Sequence, residues 1–251
     1  MFPLRDESPV VRPPVATVTI ITLNILAWIF IQGWGHPEFL LRSICSYGLI
    51  PAELLGHLPV GTIVPLGPDA GCRINDSGVS SLFASMFMHG GWLHIIGNMW
   101  FLWVFGDNVE DAMGPWRFLL FYMLCGLAAA AAQTITDPAN AIPMVGASGA
   151  IGGVMGAYAL LYPRTHITTF IFLGFYMTTI AVPAWVMLGY WFMLQLLGGL
   201  PTLGGSEGGV AFWAHIGGFM AGLLLILPMH RKDYLARHLS QPARRTARYR
   251  F

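Results

Sequence analysis

Long apolar stretches constrain the fold of this chain more than any other feature. The first comprises residues 15–32, with Asn24 as the most polar side chain inside it. A helix of that length and composition is able to cross the hydrocarbon layer of a bilayer. Five further apolar stretches follow at about 92–106, 116–135, 147–162, 183–199 and 211–229. The sequence therefore predicts an all-α membrane protein, built as a bundle of six transmembrane helices.

The composition points to the same class of protein. Apolar residues make up 55% of the chain and charged residues 10%. A soluble domain has roughly 45–50% apolar and about 25% charged residues. The chain therefore has too few charges and too many apolar side chains for an ordinary soluble domain.

The segments outside the predicted helices divide the chain into three parts. Residues 1–14 are a short polar lead, 15–229 the membrane domain and 230–251 a basic tail, interpreted as a solvated end. Within the membrane domain, residues 33–91 are interpreted as a long non-helical outside loop, whose apolar end at 82–88 is predicted to lie along the membrane surface. Residues 167–181 are interpreted as an interfacial or loop segment that leads into the fifth helix.

The basic residues predict the orientation in the membrane. If both termini are cytoplasmic, eleven of the 13 Lys and Arg residues lie inside, and only Arg42 and Arg73 lie outside. Such an excess is typical of cytoplasmic segments. The N-terminus has neither the basic start nor the cleavage site of a signal peptide, so the first helix is expected to be retained. The sequence thus predicts a multi-pass membrane protein, with a bacterial inner membrane as the first interpretation and an organelle membrane as the alternative.

The three cysteines differ in their predicted surroundings. Cys45 and Cys72 both lie in the long outside loop, whereas Cys125 lies in the third helix. A disulfide between Cys45 and Cys72 suits the oxidising side of a membrane. Two unpaired, partly buried thiols are equally compatible with the sequence.

Four polar side chains are predicted at one depth on three helices. Helices two, four and six all run from the outside to the inside in this orientation. His94 and Asn98 come early in helix two, Ser148 begins helix four and His215 lies near the start of helix six. Because intramembrane ionisable groups face the bundle interior or a water-filled cavity, we expect these four side chains to meet in the outer third of the bilayer.

These residue types suit hydrolysis by an activated serine. His215 would take the proton of Ser148, since a hydroxyl is a poor nucleophile without a base. His94 and Asn98 are four residues apart on one helix face, where together with the Ser148 N–H they would stabilise an oxyanion. Gly146 keeps the backbone thin enough for a substrate to approach. The site is predicted to open to the outside.

Other hydrolytic chemistries lack their residues. No Asp or Glu lies in the middle of a predicted membrane helix, and Asp107 is interpreted as a lone carboxylate at the inner end of helix two. This argues against an aspartyl protease and against a Ser-His-Asp triad. The chain has no His-Glu-x-x-His motif, so no metal and no cofactor are expected. Its single lysine, Lys232, lies in the tail, which excludes a serine–lysine pair in the outer third of the bilayer.

The chain resembles the rhomboid intramembrane serine proteases in three motifs, which are His94-x-x-x-Asn98, Gly146-x-Ser148-Gly149 and Ala214-His215-x-x-Gly218-x-x-x-Gly222. The resemblance runs from about residue 17 to residue 227. It implies Ser148 as the nucleophile, His215 as the base, and an oxyanion site with His94, Asn98 and Gly146. It also implies close packing of helix six on helix four at Gly149, Gly218 and Gly222. The loop 200–209 would be a lid, and helix five a side entrance for a substrate helix.

Two positions depart from the family's pattern. Many members carry an aromatic residue four positions after the nucleophile, where this chain has Gly152. His215 is therefore expected to be held by another contact. The family's tryptophan–arginine pair in the first outside loop corresponds here to Ser80-Ser81, so this loop is expected to be anchored differently.

The sequence-based prediction is a serine endopeptidase that cleaves membrane proteins in or next to their transmembrane helices. Its expected partners are transmembrane protein substrates and the lipid bilayer, with no nucleic acid. The first alternative is a rhomboid-like protein that binds membrane-protein clients without efficient cleavage. The second is a transporter, which would show inverted repeats and midplane ionisable groups. The third is purely structural, with Ser148 as a small packing residue and His94 as an interhelical hydrogen-bonding group.

Overall fold

The computed structural model describes residues 1–67, 70–75, 78–174, 176–203 and 210–240, and within these ranges the chain is mostly helical. The helices are α1 (Val15–Phe30), α2 (Pro37–Tyr47), α3 (Pro51–Leu54), α4 (Gly78–Ala84), α5 (Trp92–Met113), α6 (Pro115–Thr136), α7 (Ser148–Leu161), α8 (Ala184–Gly199), α9 (Phe212–Met229) and α10 (Lys232–Leu239). The strands are β1 (Phe2–Asp6), β2 (Ile63–Gly67), β3 (Ala70–Arg73), β4 (His166–Leu173) and β5 (Tyr176–Pro183).

The helices and their outer surface suit a lipid environment. Among the described residues, three segments are long and apolar enough to cross a membrane, namely Pro115–Thr136, Ala184–Thr202 and Phe212–Met229. The helices α1 and α7 are apolar but shorter. Large apolar side chains face outward, and Leu93, Trp116 and Phe30 are 88%, 82% and 78% exposed. Extensive exposed apolar surface is rare on soluble proteins, whereas lipid covers it in a membrane.

Helix α7 lies at the centre of the bundle. Every residue from Gly149 to Tyr158 is buried, and α7 packs against α5, α6 and α9. A Cβ atom on Gly218 or Gly222 of α9 would overlap the backbone carbonyl oxygen of Gly149 or Gly153 on α7. The small residues therefore bring α7 and α9 into direct backbone contact, as is common between membrane helices.

Helix α5 is longer than predicted, and the interpretation of Asp107 as a lone carboxylate is wrong. The helix continues to Met113 and carries two further buried carboxylates, Glu110 and Asp111. Glu110 accepts hydrogen bonds from the N–H groups of Ala16 and Thr17 at 2.9 and 2.8 Å. These donors belong to the first turn of α1, which leaves its N–H groups without partners inside the helix. The carboxylate therefore anchors α1 to α5.

Asp111 joins both ends of the described chain to α5. Its carboxylate accepts hydrogen bonds from the Val11 N–H at 3.0 Å, the Arg12 guanidinium at 2.8 Å and His238 Nδ1 at 2.8 Å. His238 is buried, and its Nε2 lies 2.7 Å from the hydroxyl oxygen of Ser8. The interpretation of the tail as a solvated end is thus wrong for α10, because this helix packs on α5. Residues 241–251 lie outside the described residues.

Residues 167–181 belong to a β-hairpin, where the sequence predicts an interfacial or loop segment, so the loop alternative is wrong. Strands β4 and β5 pair from His166↔Pro183 to Leu173↔Tyr176, and β1 adds to the other edge of β4. The resulting antiparallel sheet has the order β1-β4-β5. The prediction of an all-α fold is therefore wrong at this end of the bundle, where the polar lead at 1–14 contributes the strand β1. Threonine and large apolar residues favour strands, but a continuous apolar run does not distinguish a strand from a helix.

The segment 33–91 is also more structured than the predicted non-helical loop. It contains α2, α3 and α4 and the hairpin of β2 with β3, paired from Ile63↔Arg73 to Gly67↔Ala70. Cys45 and Cys72 form a disulfide that joins α2 to β3. Cys125 is a buried free thiol. Within the stretch 82–88, the buried Met86 packs against α6 at Gly126.

Candidate active site

Ser148 and His215 come together at the start of two adjacent helices. Ser148 is the first residue of α7, and His215 lies in the first turn of α9. The Ser148 Oγ atom lies 2.8 Å from His215 Nε2. This distance is a direct consequence of the backbone contact between α7 and α9, because Gly149 follows Ser148 and touches Gly218.

Gly146 leaves a space open between Ser148 and His94. Its φ angle of +127° lies in a region that favours glycine. A Cβ atom at this position would lie 2.7 Å from His94 Nε2 and 3.5 Å from Ser148 Oγ. His94 Nδ1 accepts a hydrogen bond from the Gly90 N–H at 3.2 Å, so the neutral ring carries its proton on Nε2. An N–H donor of His94 therefore faces the space next to the Ser148 hydroxyl.

Asn98 supplies a second donor, one turn further along α5. Asn98 is only 7% exposed, and its Nδ2 group has no hydrogen-bond partner among the described residues. A buried N–H group without a partner costs about 1–3 kcal/mol. The backbone N–H of Ser148 is among the groups that the start of a helix leaves without an intrahelical partner. These donors suit a ligand that brings a negatively charged or polar oxygen.

An open cavity of about 560 Å³ contains these groups. His94, Asn98, Gly146, Ser148 and His215 line it, and much of the remaining lining is apolar, including Phe101, Ile151 and Met155. The volume lies within the range of ordinary ligand sites. A cavity with a small number of polar groups on an apolar wall suits a substrate that has a reactive polar bond and apolar side chains.

Two residues of α8 contact His215, although sequence patterns did not single them out. Gln195 places its Oε1 atom 2.8 Å from His215 Nδ1. The Trp191 ring lies beside the His215 ring, with centroids 5.9 Å apart and planes tilted by 39°. A signal for Gln195 exists in the sequence, because a polar side chain in an apolar membrane helix is by default a candidate functional residue.

The backbone of α9 limits the space for a side chain at position 152. A Cβ atom on Gly152 would lie only 3.0 Å from the His215 carbonyl oxygen and 3.7 Å from the Trp191 ring. A side chain at 152 would therefore press against the backbone of α9. The ring that packs beside His215 comes from α8 instead.

The other sequence-predicted features belong to α4 and to the turn that follows α8. Ser80 and Ser81 lie in α4, and the Ser81 hydroxyl donates to the Gly78 carbonyl at 2.7 Å. Of the predicted lid at 200–209, residues 204–209 lie outside the described residues, and Leu200–Thr202 forms a 3₁₀ turn. In the described ranges, no group of three or more His, Cys, Asp or Glu residues has the arrangement of a metal site.

Comparison with protein families decides which family carries this arrangement. The model of the rhomboid domain matches residues 76–232, more than half of the chain. The chain belongs to the rhomboid family. The rhomboid family is an intramembrane protease family, and several helices of this chain are long and apolar enough to cross a membrane. This rhomboid is therefore an integral membrane protein.

Individual relatives of this rhomboid come from distant organisms. It is 30% identical to the mitochondrial Rhomboid protein 1 of Saccharomyces cerevisiae over 150 residues, which are 57% of this chain and 40% of the relative. It is 32% identical to the rhomboid protease GluP of Bacillus subtilis over 173 residues, which are 69% of this chain and 31% of the relative. The chain thus spans less than half the length of these curated relatives.

Proposed function

We propose that this rhomboid is a serine endopeptidase that cleaves membrane proteins in or next to their transmembrane helices. The observation that carries the proposal is the 2.8 Å contact between Ser148 Oγ and His215 Nε2 in an open cavity between membrane helices. A hydroxyl and an imidazole at hydrogen-bond distance are the two groups that nucleophilic catalysis by serine requires. The names of the relatives, among them the rhomboid protease GluP, support the same chemistry.

The first step forms an acyl-enzyme. His215 Nε2 removes the proton of the Ser148 hydroxyl while Oγ attacks the carbonyl carbon of the scissile peptide bond. The carbonyl oxygen becomes negatively charged in the tetrahedral intermediate. The protonated His215 then gives its proton to the leaving amine, the C–N bond breaks, and the acyl group stays on Ser148.

The second step releases the product. A water molecule gives a proton to His215 and attacks the acyl carbon, and a second tetrahedral intermediate forms. Its collapse breaks the bond to Ser148 Oγ, which takes the proton back from His215. The new carboxylate leaves, and the serine and the histidine return to their initial states.

Three donors support both intermediates. The Nε2–H of His94 faces the space above Gly146, the Nδ2–H of Asn98 has no partner among the described residues, and Ser148 offers its backbone N–H. Fixed donors that point to the position of a developing negative charge are usually the largest single contribution to such catalysis.

We further propose six membrane crossings, by α1, α5, α6, α7, α8 and α9, within a membrane domain of residues 15–229. Residues 1–14 and 230–251 would then lie in the cytoplasm, in agreement with their basic residues. The site would open to the outside of a bacterial inner membrane. The disulfide supports this side, because Ile44, next to Cys45, lines the cavity and disulfides persist in oxidising compartments.

Labelling and cleavage by the purified wild-type protein test the proposed activity. The protein in detergent and in liposomes is exposed to a fluorophosphonate, which reacts with activated serines, and to a tagged membrane protein with a single transmembrane helix. We expect a covalent label on the peptide that contains Ser148 and two defined cleavage products. Absence of both signals from folded protein in several lipids would contradict an activated serine and favour a client-binding protein without catalysis.

Replacement of Gly146 by alanine is expected to lower kcat about 10- to 100-fold. The methyl group would occupy the space between His94 Nε2 and Ser148 Oγ, where the substrate oxygen must lie, and the positive φ angle is unfavourable for alanine. A misplacement of about 1 Å is enough for a loss of this size. Steady-state cleavage of the single-helix substrate measures the effect, and Gly56→Ala, at a loop position with open space around it, controls for a glycine with positive φ. Equal kcat values for Gly146→Ala and wild type would contradict the placement of the substrate oxygen.

A further inference from the structure

The amide of Gln195 links α8 to the side of His215 that faces away from Ser148. Its Oε1 atom lies 2.8 Å from His215 Nδ1, while Ser148 Oγ lies 2.8 Å from Nε2. The side chain is 8% exposed. Both nitrogens of the His215 ring are therefore in hydrogen bonds, one to a nucleophile and one to a buried amide.

A second hydrogen bond fixes the orientation of this amide. The Gln195 Nε2 group donates to the carbonyl oxygen of Trp191 at 3.2 Å. A carbonyl oxygen only accepts hydrogen bonds, so the NH₂ end of the amide must face Trp191. The oxygen of the amide therefore faces His215, and it too can only accept.

The orientation of the amide determines the tautomer of the histidine. Since Oε1 accepts, His215 Nδ1 must carry the proton. In the neutral ring, Nε2 then has a free lone pair, and this lone pair points to the Ser148 hydroxyl. The general base requires this tautomer, because the opposite one would present an N–H group to the nucleophile.

We propose that Gln195 is a positioning residue that holds His215 in the Nδ1–H tautomer and directs its Nε2 lone pair to Ser148. This inference rests on the proposed function. In serine hydrolases with a triad, a buried aspartate orients the histidine in this way. Here a neutral amide does so, and no charge has to be buried between membrane helices, where a carboxylate is costly. Trp191 assists, since it packs beside the ring and accepts from Gln195.

The surroundings of His215 contain few other groups that would set its protonation. Ser148 faces it from α7, Gln195 from α8 and His94 lines the same cavity from α5. On α6, the Gln133 Oε1 atom accepts from the Ala214 N–H at 3.3 Å. Among the described residues that line the cavity, none is Asp, Glu, Lys or Arg. A carboxylate introduced at 195 would therefore be the first negative charge in contact with the base.

Two substitutions of Gln195 separate positioning from packing. Gln195→Leu keeps the approximate size but removes the acceptor, and Gln195→Glu keeps an acceptor oxygen. We expect Gln195→Leu to lower kcat about 10- to 100-fold with KM unchanged, because general base catalysis contributes about 10²–10⁴-fold. Gln195→Glu is expected to keep kcat within about tenfold of wild type. Its carboxylate also stabilises the protonated imidazole, so the acidic limb of the kcat/KM profile moves to higher pH.

The tautomer can be observed without any activity measurement. Protein labelled with ¹⁵N-histidine gives separate signals for protonated and unprotonated ring nitrogens, and His215→Ala assigns those of His215 by their loss. Wild type is expected to show the Nδ1–H form alone, and Gln195→Leu a mixture of both forms. Leu197→Ala, at a lipid-facing position of α8 that is 60% exposed, controls for changes in the helix.

The outcomes distinguish this inference from the proposed function. If wild type cleaves substrate but Gln195→Leu retains its kcat, its pH profile and a single tautomer, Gln195 does not position the base. Equal losses in Gln195→Leu and Gln195→Glu, with an unmoved acidic limb, would likewise overturn the inference and indicate packing. If wild type neither cleaves nor takes up the label, the proposed function fails, and the ¹⁵N signals still decide whether Gln195 sets the tautomer.

Discussion

The Ser148→Ala variant is expected to cleave a single-helix membrane substrate at least about 10⁴-fold more slowly than wild type. Without Oγ there is no atom to attack the carbonyl carbon and no acyl-enzyme, and the remaining donors of His94 and Asn98 provide only residual stabilisation of the transition state. The same loss is expected for His215→Ala, since the hydroxyl then has no base at 2.8 Å. Initial rates of cleavage by equal amounts of folded protein measure both effects.

A variant that carries both Ser148→Ala and His215→Ala tests whether the two residues act together. If Ser148 and His215 act as one unit, as proposed, the removal of both should cost no more than the removal of either one. Ser240→Ala, at an exposed position after α10, should retain the wild-type rate, and all variants should unfold at similar temperatures. Activity of Ser148→Ala above about a tenth of wild type, or a double variant whose loss is the product of the single losses, would contradict the proposed dyad.

The positions of the helices could be predicted from hydrophobicity, because a helix that crosses lipid must carry a long run of apolar side chains. Each of the six stretches predicted as membrane helices contains a helix, and Ser148 begins α7 as its sequence context indicates. A common depth for His94, Asn98, Ser148 and His215 followed from counting residues along helices of alternating direction. The distances between these side chains did not follow, since they depend on how closely α7 and α9 approach at their glycines.

Gln195 shows where reasoning from motifs ends. The resemblance to the rhomboid proteases directs attention to position 152, where the aromatic partner of the base is absent. It does not indicate that α8 supplies both a ring and an acceptor to His215. Only the packing of α8 on α9 brings Trp191 and Gln195 to the same histidine. The polarity of Gln195 in an apolar helix was the one available signal.

The end of the bundle opposite the site could not be predicted for a different reason. Asp111 binds Arg12 and His238, which lie 99 and 127 positions away in the sequence. Such pairs leave no periodic pattern, and each residue alone resembles an ordinary surface charge. The strands β4 and β5 were missed because both faces of the hairpin carry apolar residues, which removes the alternation typical of a half-buried strand.

The Gly218→Ala variant is expected to lose both stability and activity. The added Cβ atom would lie 2.8 Å from the carbonyl carbon of Gly149 and overlap its oxygen, so α7 and α9 would have to move apart. Overpacking of this kind costs about 1–3 kcal/mol, which corresponds to a fall of about 2–12 °C in apparent Tm for a chain of this size. The displacement acts directly on the contact of Ser148 with His215, because Gly149 follows the serine and Gly218 is on the helix of the histidine. A separation of about 1 Å would reduce kcat about 100-fold.

Gly189→Ala is the matched control for this substitution. Gly189 is also in the interior of a membrane helix, α8, but an added Cβ atom would meet nothing within 4 Å. Alanine there should leave kcat unchanged and stabilise the helix by up to about 1 kcal/mol. If Gly218→Ala and Gly189→Ala had the same Tm and kcat, the backbone contact between α7 and α9 would not be what holds the serine against its base. A loss of kcat in Gly218→Ala alone, with KM unchanged, would instead tie the rate to the spacing of these two helices.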